Sequence, residues 1–436
     1  MQSAAIEQSI GITTFLTPFS GIQGTLRRIP EDFIVNEKAH IPKPDPQGIY
    51  TIAWIKSKNW DTHLLVRKLS KQLQMSNKRI SFAGTKDKRA ITTQLMSFAD
   101  VQPQELETLH IKDVEITPLH TTQTPVLLGK LHGNHFTITI RNIPSHITSK
   151  QINAYTQFFT KTPVFPNYFG IQRFGGIRPI THIVGYHIIR GEIQQAVMTY
   201  LAKAYPEEST EIAEIRTSLS QTHDFAAALA AFPLHLHFER AMLSVLVHKP
   251  DDFVRALQAL PKNLLLMFIN AYQSYLFNKI ISMRITNSLP IDHAIPGDII
   301  IPVSFSQRDT ELITATSQNL EKVNHQITKH HAVVSGILLG HSSQYAQGEM
   351  GEIEQKIIEQ EEVDPRSFFI PEIPYLSSSG TRRGIHSWIQ DLTVHYQGDS
   401  PPKNKQTVTL SFYLDKGCYA TSFLREWMKA SDIRAY

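Results

Sequence analysis

The chain has 436 residues, enough for two or three domains, and its 41% apolar and 19% charged residues are those of an ordinary globular protein. A single cysteine, Cys418, excludes an intramolecular disulfide framework and any multi-cysteine zinc site, and fits a reducing compartment. The net charge of +4 is too small for a dedicated nucleic-acid-binding arm, yet it leaves room for a local basic groove.

Residues 1–11 have no basic region ahead of an apolar run, so no secretory signal is expected. From Glu31 to Glu37 apolar and polar residues alternate around Phe33 and Val35, the period of a half-buried strand. Ile49 to Ile55 resumes a strand. Asp61 suits the N-cap of a helix through Leu73, with Leu64, Leu65, Leu69 and Leu73 on one face.

An apolar run, Ile80 to Ala83, then breaks at Gly84, as expected for a strand that ends in a tight loop. The loop carries one acid, Asp87, flanked by Lys86, Lys88 and Arg89. Two readings stay open at this point. One is a solvated turn with weak ion pairs. The other is a nucleophile or electrostatic anchor, a task that suits a carboxylate among cations better than general acid work.

Next come a short helix, Pro103 to His110, and strands at Val114–Leu119 and His135–Ile140, with His132–His135 expected as a turn. Residues 164–176 hold four aromatics among Asn167, Gln172 and Arg173, bounded by glycines. That composition suits either base stacking and polar contacts to RNA or a loop plugging the core. From about residue 190 the texture turns helical: Ile193–Ala204, Ser209–Leu219, Phe225–Ala231, Phe253–Leu260 and Leu264–Ile285. Leu264–Ile281 is interrupted by Asn270, Gln273, Asn278 and Lys279, so it reads as a buried helix rather than a membrane span. His235 and His237 are expected on one face of a strand, and neither they nor His330 and His331 have an acidic partner at metal-ligand spacing. Ile299–Val303 is a strand candidate. Gly348 opens an acidic helix to about Glu362 with a solvated face. Gly380–Gly384 reads as a basic turn suited to phosphate, Thr407–Leu414 as a strand, and Lys416–Ser422 as a turn into a final helix, Phe423–Lys429. Cys418, with no histidine base placed beside it, is a spectator in that turn.

Five stretches together resemble one family. Gly84-Thr85-Lys86-Asp87-Lys88-Arg89-Ala90 with Thr92, Thr93 and Gln94 is similar to the signature of the TruD-type tRNA pseudouridine synthases. Glu31 to Glu37, the Asn167 to Gly175 loop, Gln273 to Asn278 and Gly417 to Glu426 follow in the family's order, from about residue 25 to 430. The long spacers look more like the larger archaeal and eukaryotic members. The resemblance implies an α+β pseudouridine synthase fold, a mixed and mainly antiparallel sheet flanked by helices. It also implies an inserted second α/β domain, the two domains clamping a tRNA. Residues 1–190 and 367–436 would form the discontinuous catalytic domain and 191–366 the insert. The implied reaction converts a uridine of tRNA, at position 13, to pseudouridine after base flipping, with no cofactor and no metal. Asp87 would be the catalytic aspartate. Phe33, Asn167 and Tyr419 would contact the target nucleotide, Phe169 would stack on the extruded base, and Lys86 and Arg173 would hold phosphate or fix the loop. Other structured RNAs are further candidate partners. The expected location is cytoplasmic, with no membrane and no obligate protein partner. Two other readings compete: a non-catalytic RNA-binding protein or RNA chaperone on the same fold, and a glycosidase in which Asp32 or Glu37 converges on Asp87.

Overall fold

The computed structural model describes residues 3–303, 311–398 and 406–430. The chain divides into two compact units: a sheet unit formed by residues 17–165 and 387–436, and a helical unit formed by residues 1–16 and 166–386. Residues 166–190 and the N-terminal sixteen thus belong with the helices.

The sheet unit is built on eight strands. Six come from its first segment: β1 (Phe33–Ala39), β2 (Tyr50–Lys58), β3 (Ile80–Phe82), β4 (Ile91–Ala99), β5 (Val114–Thr122) and β6 (Leu131–Ile140). The C-terminal segment adds Gln390–Gln397 and Thr407–Asp415, and the order is Gln390–Gln397, Thr407–Asp415, β6, β1, β4, β2, β5, with β3 paired to β4. β1 and β4 run parallel, Ile34 opposite Ile91, and the other pairings are antiparallel.

Both faces of this sheet are covered, which is why β4 is buried almost without interruption. Phe33 and Val35 of β1 join Phe136 and Ile138 of β6 and Leu410 and Phe412 in one core. Over it lie the helices Ser149–Lys161 and Ala420–Met428, through Tyr155, Phe159, Phe423 and Trp427. On the β2–β4 half, Ala53, Ile55, Met96 and Phe98 pack with Leu65, Val66 and Leu69 of the helix Thr62–Gln72. Asp61 caps that helix as expected, accepting from the His63 and Leu64 amides. Leu64, however, is 47% exposed; Val66 takes the inner place.

His132–His135 is not a turn but part of β6. Gly133 there lies opposite Asp415, and a Cβ would fall 2.1 Å from the Leu414 carbonyl oxygen, so the glycine marks close backbone approach rather than a bend. His235 and His237 do not share a strand: His235 sits in a turn and His237 opens the helix His237–His248, whose buried face carries Met242, Leu243 and Leu246 at helical spacing. Gly380–Gly384 is not a phosphate-binding turn. Thr381–Gly384 is a strand paired with Ala332–Leu338, and Arg382 is spent on the core.

The helical unit wraps the helix Lys262–Thr286, which is buried on nearly every side and includes Tyr272, Gln273, Ser274, Phe277 and Asn278. Among the described residues no helix is long and apolar enough to cross a membrane. Charges inside this unit come in pairs. Arg284 and Asp298, both fully buried, bond through two oxygens at 2.6 and 2.8 Å. Arg382 reaches Glu354 at 2.5 Å, and Glu354 also accepts from the Ile337 and Ala346 amides. The acidic helix Gly348–Gln360 therefore does not show only a solvated acidic face, because its Glu354 points into the core.

Removing one partner of such a pair strands the other charge. Glu354→Ala is expected to destabilise the helical unit by about 3–5 kcal/mol, read as a lowered urea midpoint, while the exposed Glu359→Ala should move it by less than about 0.5 kcal/mol. Two histidines make a second prediction. Burial pushes His182 and His386 down to about 4, from an ordinary 6.5. Between those values the unfolded chain takes up protons that the folded chain refuses. The contribution of the two histidines should be level above pH 6.5 and fall as the pH drops through this window, by about 1.4 kcal/mol per pH unit for each histidine. Urea midpoints from pH 7.5 to 4.5 test this, and His182→Phe should lessen the slope.

Candidate active site

The loop that leaves β3 and re-enters the sheet at β4 is fixed from inside. Phe33, Val35 and Glu37 share the buried face of β1, so an acid sits where an apolar residue would be expected. Lys86 supplies its partner: its ammonium lies 2.5 Å from Glu37 Oε2, with the two side chains 5% and 0% exposed. Glu37 Oε1 accepts from the Leu95 amide at 3.3 Å, and Thr62 Oγ1 accepts from the Lys86 amide at 2.9 Å. Lys86 is thereby turned inward, and it presents no cation to solvent.

Asp87, the next residue, faces out, its side chain 43% exposed. Its partner is none of its cationic neighbours in the chain. Arg27 Nη2 reaches Asp87 Oδ2 at 3.0 Å. Arg27 takes a left-handed backbone conformation, φ 55°, and lays its guanidinium over the Phe33 ring, 4.1 Å from the centroid. Phe33 is itself buried, edge-on to Phe136. Lys88 and Arg89 remain exposed. Asp32 and Glu37, the two acids that could have paired with Asp87, are held by Arg141 and Lys86 instead.

In the same unit, Tyr419 is half-buried at the N-cap of Ala420–Met428, its carbonyl accepting from the Ser422 amide. The turn before it is tied to the sheet: the Lys416 amide donates to the His132 carbonyl, and its ammonium reaches the Gly129 carbonyl at 3.1 Å. Cys418 packs against the aromatic core.

The remaining predicted residues lie in the helical unit. Asn167 is buried. Its amide group donates to the Gly384 carbonyl at 3.0 Å, and its oxygen accepts from Arg383 at 2.8 Å. The Arg383 guanidinium covers the Phe169 ring at 4.3 Å, and that of Arg173 lies 5.6 Å from the same centroid. Arg173 also donates to Ser274 Oγ at 3.3 Å. The Phe169 backbone is clamped by Asn278, which accepts from its amide and donates to its carbonyl.

Residue patterns alone gave Arg27 no part; they offered Glu37 only as a second carboxylate for Asp87 and Arg383 only as part of a basic turn for phosphate, whereas Glu37 binds Lys86 and Arg383 binds Asn167. Glu37 left a signal, an acid in register with the apolar face of a strand, which demands a buried cation. Arg27 left none, and Arg383 none that pointed to its partner, because each acts on a residue far away in the chain, 60 and 216 positions respectively.

The profile of the family tRNA pseudouridine synthase D (TruD) matches residues 9–427. The probable tRNA pseudouridine synthase D of Methanosarcina barkeri is 40% identical over 100% of both chains, and that of Methanococcoides burtonii is 39% identical over 98% of each. A crystal structure of the TruD protein from Methanosarcina mazei superposes with a TM-score of 0.88 at 38% identity, covering 98% of this chain and 99% of that one. Family match, relatives and fold agree over nearly the whole length, and the chain belongs to the tRNA pseudouridine synthase D family.

Proposed function

We propose that this chain converts a uridine of tRNA, at position 13, to pseudouridine, with Asp87 as the nucleophile. The observation that carries this reading is the outward-facing Asp87 carboxylate on a loop anchored by a buried ion pair and oriented by Arg27. The reaction breaks the bond between the sugar and the base nitrogen, forms a bond from the same sugar carbon to a base carbon, releases to water the proton that the base carbon carried, and leaves the freed nitrogen to take up a proton from water, so that the product is an isomer of the substrate. Breaking the first bond builds positive character on the sugar, which a carboxylate can stabilise or trap; attack by the same carboxylate on the base is the other route. In either case the Arg27 contact limits the directions the Asp87 carboxylate can face.

We assign the chemistry to the sheet unit, with Phe33 acting through Arg27 and Tyr419 offering a ring face and a hydroxyl to the nucleotide. In the helical unit, Phe169 supports the planar guanidinium of Arg383, a surface on which a base can stack, and Asn167 and Arg173 supply polar contacts. Stacking returns about 1–3 kcal/mol per base, which roughly offsets the few kcal/mol of extruding one. Lys88 and Arg89 suit backbone phosphates. The chain would work where tRNA is processed, in the cytoplasm, and other structured RNAs are secondary substrates.

Asp87→Asn should abolish pseudouridine formation and leave tRNA affinity nearly intact. Tritium release from 5-tritiated uridine in tRNA measures the first, filter binding the second. Wild-type rates in the variant would remove Asp87 from the chemistry, and no release by the wild-type chain would favour an RNA-binding protein without activity. Arg27→Ala should slow single-turnover conversion by about 100-fold, the scale of losing one oriented charged donor. Arg27→Lys, which keeps the charge but not the flat surface over Phe33, should recover only part of that rate.

A further inference from the structure

We infer that the Leu127–Leu128 turn is an apolar wedge that enters the RNA base stack and fills the place vacated by the extruded uridine. This rests on the reading of Asp87 as acting on a flipped uridine.

Leu127 and Leu128 are consecutive, and 50% and 77% exposed. Two large apolar side chains held in water at the tip of one turn mark a contact surface. Their turn cannot fold them back. Val126, at its root, is buried with Ile52, Ala83 and Leu95, and its amide donates to Ser97 Oγ at 3.0 Å. The Lys130 amide closes the turn on the Leu127 carbonyl at 3.0 Å. Gly129 takes φ +79°, a left-handed conformation that lets the chain reverse so tightly.

The position of the turn is what selects RNA as its partner. The Gly129 amide donates to the Ala83 carbonyl at 2.7 Å, one residue before the loop that carries Asp87 opens at Gly84. The Gly129 carbonyl accepts from Lys416 at 3.1 Å, three residues before Tyr419. The turn is thus hydrogen-bonded to both segments that the sheet unit offers to the nucleotide. Exposed cations lie on the segments it joins: Lys130 in the turn itself, Lys416 bonded to it, and Lys88 and Arg89 on the loop that also carries Asp87. Cations around an apolar tip fit a phosphate backbone flanking a gap in a base stack. A base taken out of its stack leaves such a gap, and an apolar side chain that occupies it keeps the base from returning.

The test uses the full chain and a tRNA with 2-aminopurine next to the target uridine, whose fluorescence rises on unstacking. The Leu127→Ala/Leu128→Ala variant should keep its thermal midpoint and its tRNA affinity, lose the fluorescence rise, and slow single-turnover pseudouridine formation by about ten-fold or more. Leu128→Met, which keeps the apolar bulk, should retain both signals. Asp87→Asn should show the rise without product. A double-alanine variant that unstacks and converts at the wild-type rates overturns the wedge, and so does one whose only defect is a changed oligomeric state, which would make the turn a protein contact. A wild-type chain that gives a leucine-dependent rise but no pseudouridine would instead overturn the catalytic reading and leave the wedge standing.

Discussion

The candidate active site depends on one buried ion pair, Lys86–Glu37. An ammonium and a carboxylate 2.5 Å apart, both almost without solvent, attract strongly, but each would be costly to leave alone. The pair therefore acts as a latch. It joins the loop after β3 to the middle of β1, and the Leu95 and Lys86 amides extend the network to β4 and to the start of the helix Thr62–Gln72. Lys86 points inward to Glu37, while Asp87, the adjacent residue, points outward to Arg27. The latch fixes the loop, and Arg27 sets the direction of the proposed nucleophile on it.

A second device recurs. In the sheet unit a guanidinium lies over a phenyl ring and bonds a carboxylate: Arg27 on Phe33, reaching Asp87. In the helical unit a guanidinium lies over a phenyl ring and bonds a carboxamide: Arg383 on Phe169, reaching Asn167. In each, a buried aromatic fixes the plane of an arginine, and the arginine fixes a polar group. Arginine suits this task because its charge is spread over a flat fork that can stack and donate at once. Phe33 and Phe169, two of the aromatic residues that the family resemblance marks for the nucleotide, are also the supports of the arginines.

The helical unit is held by a different economy of charge. Arg284–Asp298 and Arg382–Glu354 lie in the core, as do Arg216, Glu208 and Glu239 in a further network. Such pairs add little net stability over apolar residues of equal size, but mispairing them is expensive. They join segments distant in the chain, as Ser335 and Arg382 do through the same guanidinium that holds Glu354.

Alternation at Phe33 and Val35, the Asp61 cap, the heptamer Phe225–Ala231 and the aromatic run inside Lys262–Thr286 were all legible in the sequence, because their causes are local: side-chain period, capping and helical spacing. The order of the short stretches around Asp87, Asn167 and Tyr419 carried the family as well. Misreadings fell where a neighbour distant in the chain overrides local chemistry. Gly133 looked like a turn because the Leu414 carbonyl that crowds it is invisible in sequence. Arg382 and Glu354 looked like surface charges because each was read without the other. The cationic loop shows the division most clearly. By itself the sequence determined that one carboxylate sits among three cations. Only the tertiary structure decided that Lys86 belongs to Glu37, that Arg27 belongs to Asp87, and that Lys88 and Arg89 remain exposed, because ion pairing depends on distance in space rather than position in the chain.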